Sequence, residues 1–270
     1  CKMHSCGNDY IFFNNFDNKI TCPESLAINF SDRHNGIGSD GIVMIEKSDI
    51  ADCKMRVFNR DGSEAGLAAN PLRCVAKYVF DKHIVNSDKM TVETCAGVKT
   101  LAVVSFNGVA SSVSVNLGKA ECKKVNPEGK LYAELKEYCG TIYDALLVDV
   151  GNKHCTIFCD KVDDVDMEGL GQAVISSGQF PGITYIECVR VVNDLTLKLR
   201  VWDRVNGEMM ACGTAAAAVT AAAVELGMCQ NCNVITVKLR GGDLFVRHLE
   251  DGSLVLEGSV KQSFEGVIEI

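Results

Sequence analysis

Rings are scarce in this chain. Aromatic residues make up 7% of its 270 positions, with a single tryptophan, while apolar residues make up 47%. Cores must therefore be built from Val, Ile, Leu and Ala, in a balance that excludes a disordered protein. No run of five or more Lys or Arg occurs, and the formal net charge of -8 is spread along the chain, which excludes the phosphate-backbone binding of a nucleic-acid partner. A spanning run is missing too: the longest apolar stretch, Ala215 to Val224, contains Thr220 and stops at Glu225. That falls short of the ~20 residues a membrane helix needs.

Fourteen cysteines are present, yet scattered over a chain far longer than a disulfide-stapled secreted scaffold. No secretory leader is read ahead of Cys1, and a few residues are expected to precede it, since no initiator Met stands there. A reducing cytoplasm is the expected compartment. The length exceeds the usual single-domain size, so two domains are expected.

Short β-rich runs broken by Gly, Asn and Asp fill the chain, among them Gly41 to Ile45, Leu101 to Val115 and Leu146 to Val150, and predict strands. Two segments predict helices: Pro71 to Phe80, and Thr214 to Leu226 with Gly227 as its C-cap. Aligning Glu64 with Glu208 sets NRDGSEAGLAANPLR beside DRVNGEMMACGTAAA without a gap, pairing Arg60 with Arg204 and Ala68 with Cys212. We read an internal duplication, against the competing reading of two Ala/Gly-rich turns alike by chance. It predicts an α+β fold of two pseudo-symmetric domains, residues 1–117 with about 258–270 and residues 118–257, and a site in a cleft between them.

Helix starts expose unpaired N–H groups and a positive dipole end, so they suit a carboxylate. Ala69, Asn70 and Pro71 open one predicted helix, with Pro71 as its first residue; Gly213 and Thr214 open the other. Cys212 directly precedes that start, a position expected to lower a thiol's pKa and let it act as a base. The other thirteen cysteines are read as small buried hydrophobes. Cys229 and Cys232 form a lone CxxC in a loop without further ligands, so no metal site is read. His34 and His154 lie by turns, Arg33 and Asp40 are read as bracing one, and GIGSDG lacks the spacing and context of a dinucleotide fingerprint.

Seven stretches taken together resemble the diaminopimelate epimerase family from end to end: KMHSCGNDY from Lys2, DRHNGIGSDG from Asp32, RVFNRDGSEA from Arg56, RCVAKY from Arg73, TVET from Thr91, GNKH from Gly151 and ACGT from Ala211. The resemblance implies two similar domains, each a curled, barrel-like β-sheet around a central helix. It also implies a racemase or epimerase acting on the α-carbon of a free amino acid, without pyridoxal phosphate or any other cofactor, by two cysteines on opposite faces. Carried across, Cys212 is one of the pair, His154 partners the other thiol and Asp203 partners Cys212. Helix-start groups at Ala69, Asn70, Gly213 and Thr214 hold the α-carboxylate, and Asn8, Asn59, Asn152 and Arg204 match substrate contacts. A developing carbanion needs such preorganised donors and excluded water. A homodimer is compatible with the resemblance.

Two departures matter. Where the family reads M-C-G-N-G, this chain reads Leu67-Ala68-Ala69-Asn70-Pro71, so Ala68 stands in place of the first cysteine and proton transfer there is lost. Either a Cys→Ala substitution was made to trap substrate, the favoured reading, or a natural relative no longer racemises. The second departure is Glu187, in Thr184 to Val189, where the family places an asparagine on the distal carboxylate. An added carboxylate there would favour a cationic or imidazole side chain, so a histidine-like substrate is expected ahead of diaminopimelate. Retained Arg204, and Lys153 as a counter-charge to Glu187, pull the other way. The alternatives are a diaminopimelate epimerase, an amino-acid binding protein on a retired epimerase fold, and, with weaker motif agreement, a phenazine- or proline racemase-type relative.

Overall fold

The β-branched runs become strands and the alanine run becomes a helix. The computed structural model describes residues 1–268, in two compact units: Cys1–Asn116 with the stretch from Glu257 on, and Leu117–Leu256. The first unit holds β1 (Lys2–Ser5), β2 (Asn8–Asn14), α1 (Pro23–Ser31), β3 (Gly41–Glu46), β4 (Cys53–Asn59), α2 (Ala69–Asp81), β5 (Lys89–Thr94), β6 (Gly97–Phe106) and most of β7 (Val109–Lys119). β1 and β2 pair antiparallel, β2 and β3 parallel, β3 and β4 antiparallel, β4 and β5 parallel, and β5, β6 and β7 follow antiparallel.

The second unit holds β8 (Glu121–Val125), α3 (Gly129–Cys139), β9 (Ile142–Asp149), β10 (Lys153–Cys159), α4 (Met167–Ser176), β11 (Tyr185–Asn193), β12 (Thr196–Asp203), β13 (Gly207–Met209), α5 (Gly213–Glu225), β14 (Val234–Leu239) and β15 (Gly242–His248). Its order repeats: β9 and β10 antiparallel, β10 and β11 parallel, β11 and β12 antiparallel, β12 and β14 parallel, β14 and β15 antiparallel. Parallel neighbours need a crossover long enough for a helix. Accordingly α1 and α4 occupy the first crossover of each unit, and α2 and α5 the second. After β16 (Ser253–Ser259), β17 (Lys261–Phe264) pairs antiparallel with β1 in the first unit.

The duplication extends to single contacts. α2 and α5 are both thirteen residues long, and Arg56 Nε on Glu64 at 2.8 Å is matched by Arg200 Nε on Glu208 at 2.7 Å. Each unit is an α+β body in which a sheet curls around its second helix: α2 touches β1, β2, β4, β5 and β6, and α5 touches β8 to β12, β14 and β15. Enclosure on all sides explains the composition of α5. Gly213 through Ala223 are all buried, so the helix has no solvent face, and side chains of one carbon let the strands close upon it.

The sequence reading found α2 and α5 but not α1, α3 or α4. The signals were present for two of them. In α3 the buried residues are Leu131, Leu135 and Cys139, a four-residue repeat on one face. α4 starts at Asp166, whose side chain accepts from Gly169 N at 3.0 Å, an N-cap of the expected type. A placement also changes: Pro71 is the third residue of α2, not its first. Its missing N–H still falls among the first-turn groups that lack an intrahelical acceptor, so the helix loses no bond.

Ala217 is fully buried on α5. Ala217→Leu should destabilise the second unit by roughly 1–3 kcal/mol, the range for overpacking a filled core, read as a lower unfolding midpoint in guanidinium. An unchanged midpoint would mean that the strands do not close on the helix.

Candidate active site

Cys212 occupies the N-cap of α5 with extended backbone (φ -137°, ψ 121°). Its sulfur accepts from Ala215 N at 3.4 Å and lies 3.3 Å from Thr214 Oγ1. The next N–H groups, on Gly213 and Thr214, belong to the first turn and have no acceptor within the helix. Cys212 is 6% exposed. The sequence predicted a thiol pulled down by the helix start; the structure reverses that. Burial pushes the Cys212 thiol up to about 11, and the charges of Glu187 and Asp203 push the same way, against the hydrogen bonds from Thr214 and Ala215. Removing water from a thiolate outweighs two weak donors and a partial dipole charge.

Glu187 does not line an open pocket. It is fully buried, and its Oε1 meets His154 Nδ1 at 2.5 Å while Thr156 Oγ1 donates to Oε2 at 3.4 Å. The strand register makes this pair: β10 runs parallel to β11 with His154 opposite Tyr185 and Thr156 opposite Glu187. Alternation then sets His154 and Thr156 on one face of β10, and Tyr185 and Glu187 on the matching face of β11. The Tyr185 ring stacks on His154 at 4.8 Å. His154 Nε2 has no hydrogen-bond partner among the described residues, so an imidazole oriented by a carboxylate keeps one ring nitrogen for another group. Burial raises the Glu187 pKa, opposed by His154. Removing one partner of such a pair costs roughly 3–5 kcal/mol. The assignment of Glu187 to a distal substrate pocket, with Lys153 as its counter-charge, is therefore corrected: its partner is His154.

Asp203 ends β12 and Arg204 follows it. Asp203 Oδ1 accepts from Val205 N, Asn206 N and Asn206 Nδ2 at 3.0, 2.7 and 2.9 Å, which fixes the turn ahead of β13. Arg204 is exposed, with its backbone N–H on Thr184 O at 3.1 Å. Asn152 is half-buried in the turn before β10, its carbonyl accepting from Val150 N. Beside that turn a cavity of about 820 Å³ is lined by Lys153, His154, Asp149, Gln179, Phe180 and Ile183.

In the first unit Ala68 is the N-cap of α2, again extended (φ -119°, ψ 102°), with no side chain to cap it. The turn that Cys212 closes with sulfur is closed here by the backbone alone, Leu72 N on Ala68 O at 3.2 Å. Behind it lies a polar chain. Arg73 Nη2 donates to Ser5 Oγ at 2.6 Å and Asn70 Oδ1 at 2.8 Å, Asn70 Nδ2 to Asn8 Oδ1 at 3.0 Å, and Asn8 Nδ2 to Asp40 Oδ2 at 2.7 Å. Arg33 completes it on Asp40 and Asp9 at 2.9 and 2.7 Å, the bracing read from the sequence. Asn59 donates to Ser63 Oγ at 3.0 Å within its own turn. Arg73 and Tyr185 are the residues that sequence reading missed. A cation inside a helix that must be buried was the signal for the first, and the strand alternation for the second.

The chain is similar to known proteins over its whole length. The family model described as diaminopimelate epimerase matches residues 1–123 and 146–262. Diaminopimelate epimerase of Acetivibrio thermocellus is 41% identical over 275 residues, covering 100% of this chain and 98% of the relative; that of Methanococcus maripaludis strain C5 is 40% identical over 278 residues, covering 100% and 99%. The chain belongs to the diaminopimelate epimerase family. More distant structures share the fold. A phenazine biosynthesis protein of Bacillus anthracis is 14% identical with a TM-score of 0.73, covering 96% of this chain and 95% of its own. A hydroxyproline epimerase of Agrobacterium vitis with bound trans-4-hydroxy-L-proline is 13% identical with a TM-score of 0.67, covering 96% and 87%.

For this member of the family the thiol chemistry should follow the buried value. With a thiol held at about 11, the alkylation rate of Cys212 by iodoacetamide should climb roughly tenfold per pH unit from pH 7 to 10, read by peptide mass spectrometry. A plateau below pH 9 would show a thiolate already formed.

Proposed function

We propose that this chain inverts the α-carbon of a free amino acid without a cofactor, that Cys212 is the thiol that moves the proton, and that diaminopimelate is the substrate. The observation that carries the reading is the Cys212 cap: a single sulfur at a helix start, beside first-turn N–H groups suited to a carboxylate and within reach of two acidic charges. A bound α-ammonium group would bring positive charge to the thiol, offset Glu187 and Asp203, and draw the pKa of Cys212 back toward neutrality. Support for diaminopimelate over a histidine-like side chain comes from full-length relatives at 40–41% identity that carry that name, and from Glu187, whose carboxylate is occupied by His154.

Ala68 favours a second reading, an amino-acid binding protein that turns its ligand over slowly or not at all. Of the motif M-C-G-N-G only Asn70 is retained in Leu67-Ala68-Ala69-Asn70-Pro71. One trapping substitution would not leave that pattern, so Ala68 is read as native to the loop.

One experiment separates the two. In deuterium oxide, LL- and meso-diaminopimelate should gain α-deuterium slowly with the chain as given, and Cys212→Ser should lower that rate about 10²-fold or more, the lower range of general acid–base contributions. Ala68→Cys should speed full inversion by a similar factor, measured by chiral chromatography. Exchange unchanged in Cys212→Ser would sink the thiol mechanism. Diaminopimelate that raises the Tm but exchanges with no variant would establish the binding protein.

A further inference from the structure

Three of the cysteines assigned to apolar packing lie together. Cys139 ends α3, Cys159 ends β10 and Cys188 lies in β11. All three are buried, with sulfurs mutually within 4.8 Å. Cys159 and Cys188 are 3.1 Å apart and Cys139 and Cys188 are 3.6 Å apart, far beyond the bonded distance of about 2.05 Å, so these are thiols. A fourth donor faces the same point: the Lys161 carbonyl oxygen is 3.1 Å from Cys159 Sγ and 3.5 Å from Cys188 Sγ. Around a tetrahedral ion with bonds of about 2.3 Å to sulfur, neighbouring sulfurs stand about 3.8 Å apart. The 3.6 Å pair is close to that spacing and the 3.1 Å pair is shorter than it.

The frame around the sulfurs is already fixed. Lys161 N donates to Cys139 O at 3.2 Å, Asp160 N to Thr141 O at 3.2 Å, and Thr141 N to Asp160 Oδ1 at 3.0 Å, tying the end of α3 to the loop that carries the carbonyl. Arg200 Nη1 holds the rest of that loop by donating to the carbonyls of Val162, Asp163 and Val165 at 3.1, 2.8 and 2.7 Å. Its guanidinium brings positive charge toward a site that three thiolates would make negative. Such supporting bonds are what orient ligands for a metal. Entry is available: Cys159 and Asp160 form part of the wall of a cavity of about 480 Å³. A single buried cysteine is ordinary packing; three sulfurs and a carbonyl converging from three elements supply a coordination shell.

We propose that Cys139, Cys159, Cys188 and the Lys161 carbonyl form a structural site for a soft divalent cation of the zinc class, the three thiols releasing their protons to solvent as three metal–sulfur bonds form. No electron changes hands, and the site is separate from Cys212. Cys139 lies in residues 124–145, outside the stretches that the family model matches.

The reduced, chelator-stripped full chain is titrated with cadmium, following the ultraviolet sulfur-to-cadmium charge-transfer band, and with zinc, following bound metal by native mass spectrometry and released protons with a pH indicator. One saturating equivalent and about three protons per metal at neutral pH are expected, with a higher Tm that chelator reverses. Cys139→Ala should lose that equivalent, whereas Cys155→Ala and Cys232→Ala should keep it. Absence of a saturating equivalent in the unaltered chain, or its retention in a folded Cys139→Ala variant, overturns the proposal, as does its loss in Cys232→Ala alone. Should Cys139→Ala fail to fold, the proton count and the chelator-reversible Tm of the unaltered chain decide.

Discussion

A helix enclosed by strands on all sides is the constraint from which the Cys212 site follows. Because α5 has no solvent face, its side chains must be small, and ten of its first eleven positions are Gly, Ala or Thr, the exception being Val219. Nothing then projects from its first turn to cover the N–H groups, and the residue before it is dry. Dryness sets the chemistry. A thiol in that place is held protonated by burial, with two carboxylate charges adding to the effect. On the proposed mechanism it becomes a base when a ligand carries positive charge to it, which would make binding and activation one electrostatic event.

The two units apply one backbone plan to different ends. Ala68 and Cys212 share extended N-cap geometry ahead of helices of equal length, and the Arg56–Glu64 and Arg200–Glu208 pairs hold the preceding strands to their turns in the same way. Their interiors diverge. α5 is mostly alanine, whereas α2 buries Arg73 and Lys77, which anchor it by Ser5 and Asn70 in one case and by Asp81 and the Ala110 carbonyl in the other. Two helices fill equivalent crossovers by opposite means, one with small side chains and one with long charged side chains tied to neighbouring polar groups.

How much of this was legible in the sequence depended on the separation of the parts. Pairing Glu64 with Glu208 located both central helices, their caps and the repeated architecture, because all of those signals lie within a few residues of one another. α1 escaped because its N-cap, Cys22, makes no side-chain capping bond and its apolar face is weak. Glu187 was found but misplaced. Its partner is set by a parallel register between β10 and β11, and no local pattern reports which strand will lie beside another. The Cys139, Cys159 and Cys188 cluster was invisible for the same reason: the spacing matches no metal motif, and only the meeting of α3, β10 and β11 brings the sulfurs together. The thiol value of Cys212 was misjudged because helix starts are visible in sequence and burial at a cap is not.

Buried polar residues differ in what their burial means. The chain from Arg73 through Asn70 and Asn8 to Asp40 ties α2 to β1, β2 and the turn before β3, and Ser5 extends it to the Ser259 carbonyl. Removing any member strands a buried polar group at about 1–3 kcal/mol, so folding alone preserves it and its presence says little about catalysis. The His154–Glu187 pair is different. Desolvating an acid and an imidazole together is often no better for stability than packing apolar side chains in their place, and Asn8-type network logic does not apply, since His154 Nε2 has no partner among the described residues. A fold under no other demand would gain by replacing that pair. On the proposed function, that buried pair and the capped, dehydrated thiol of Cys212 place the proton-moving chemistry in the second unit.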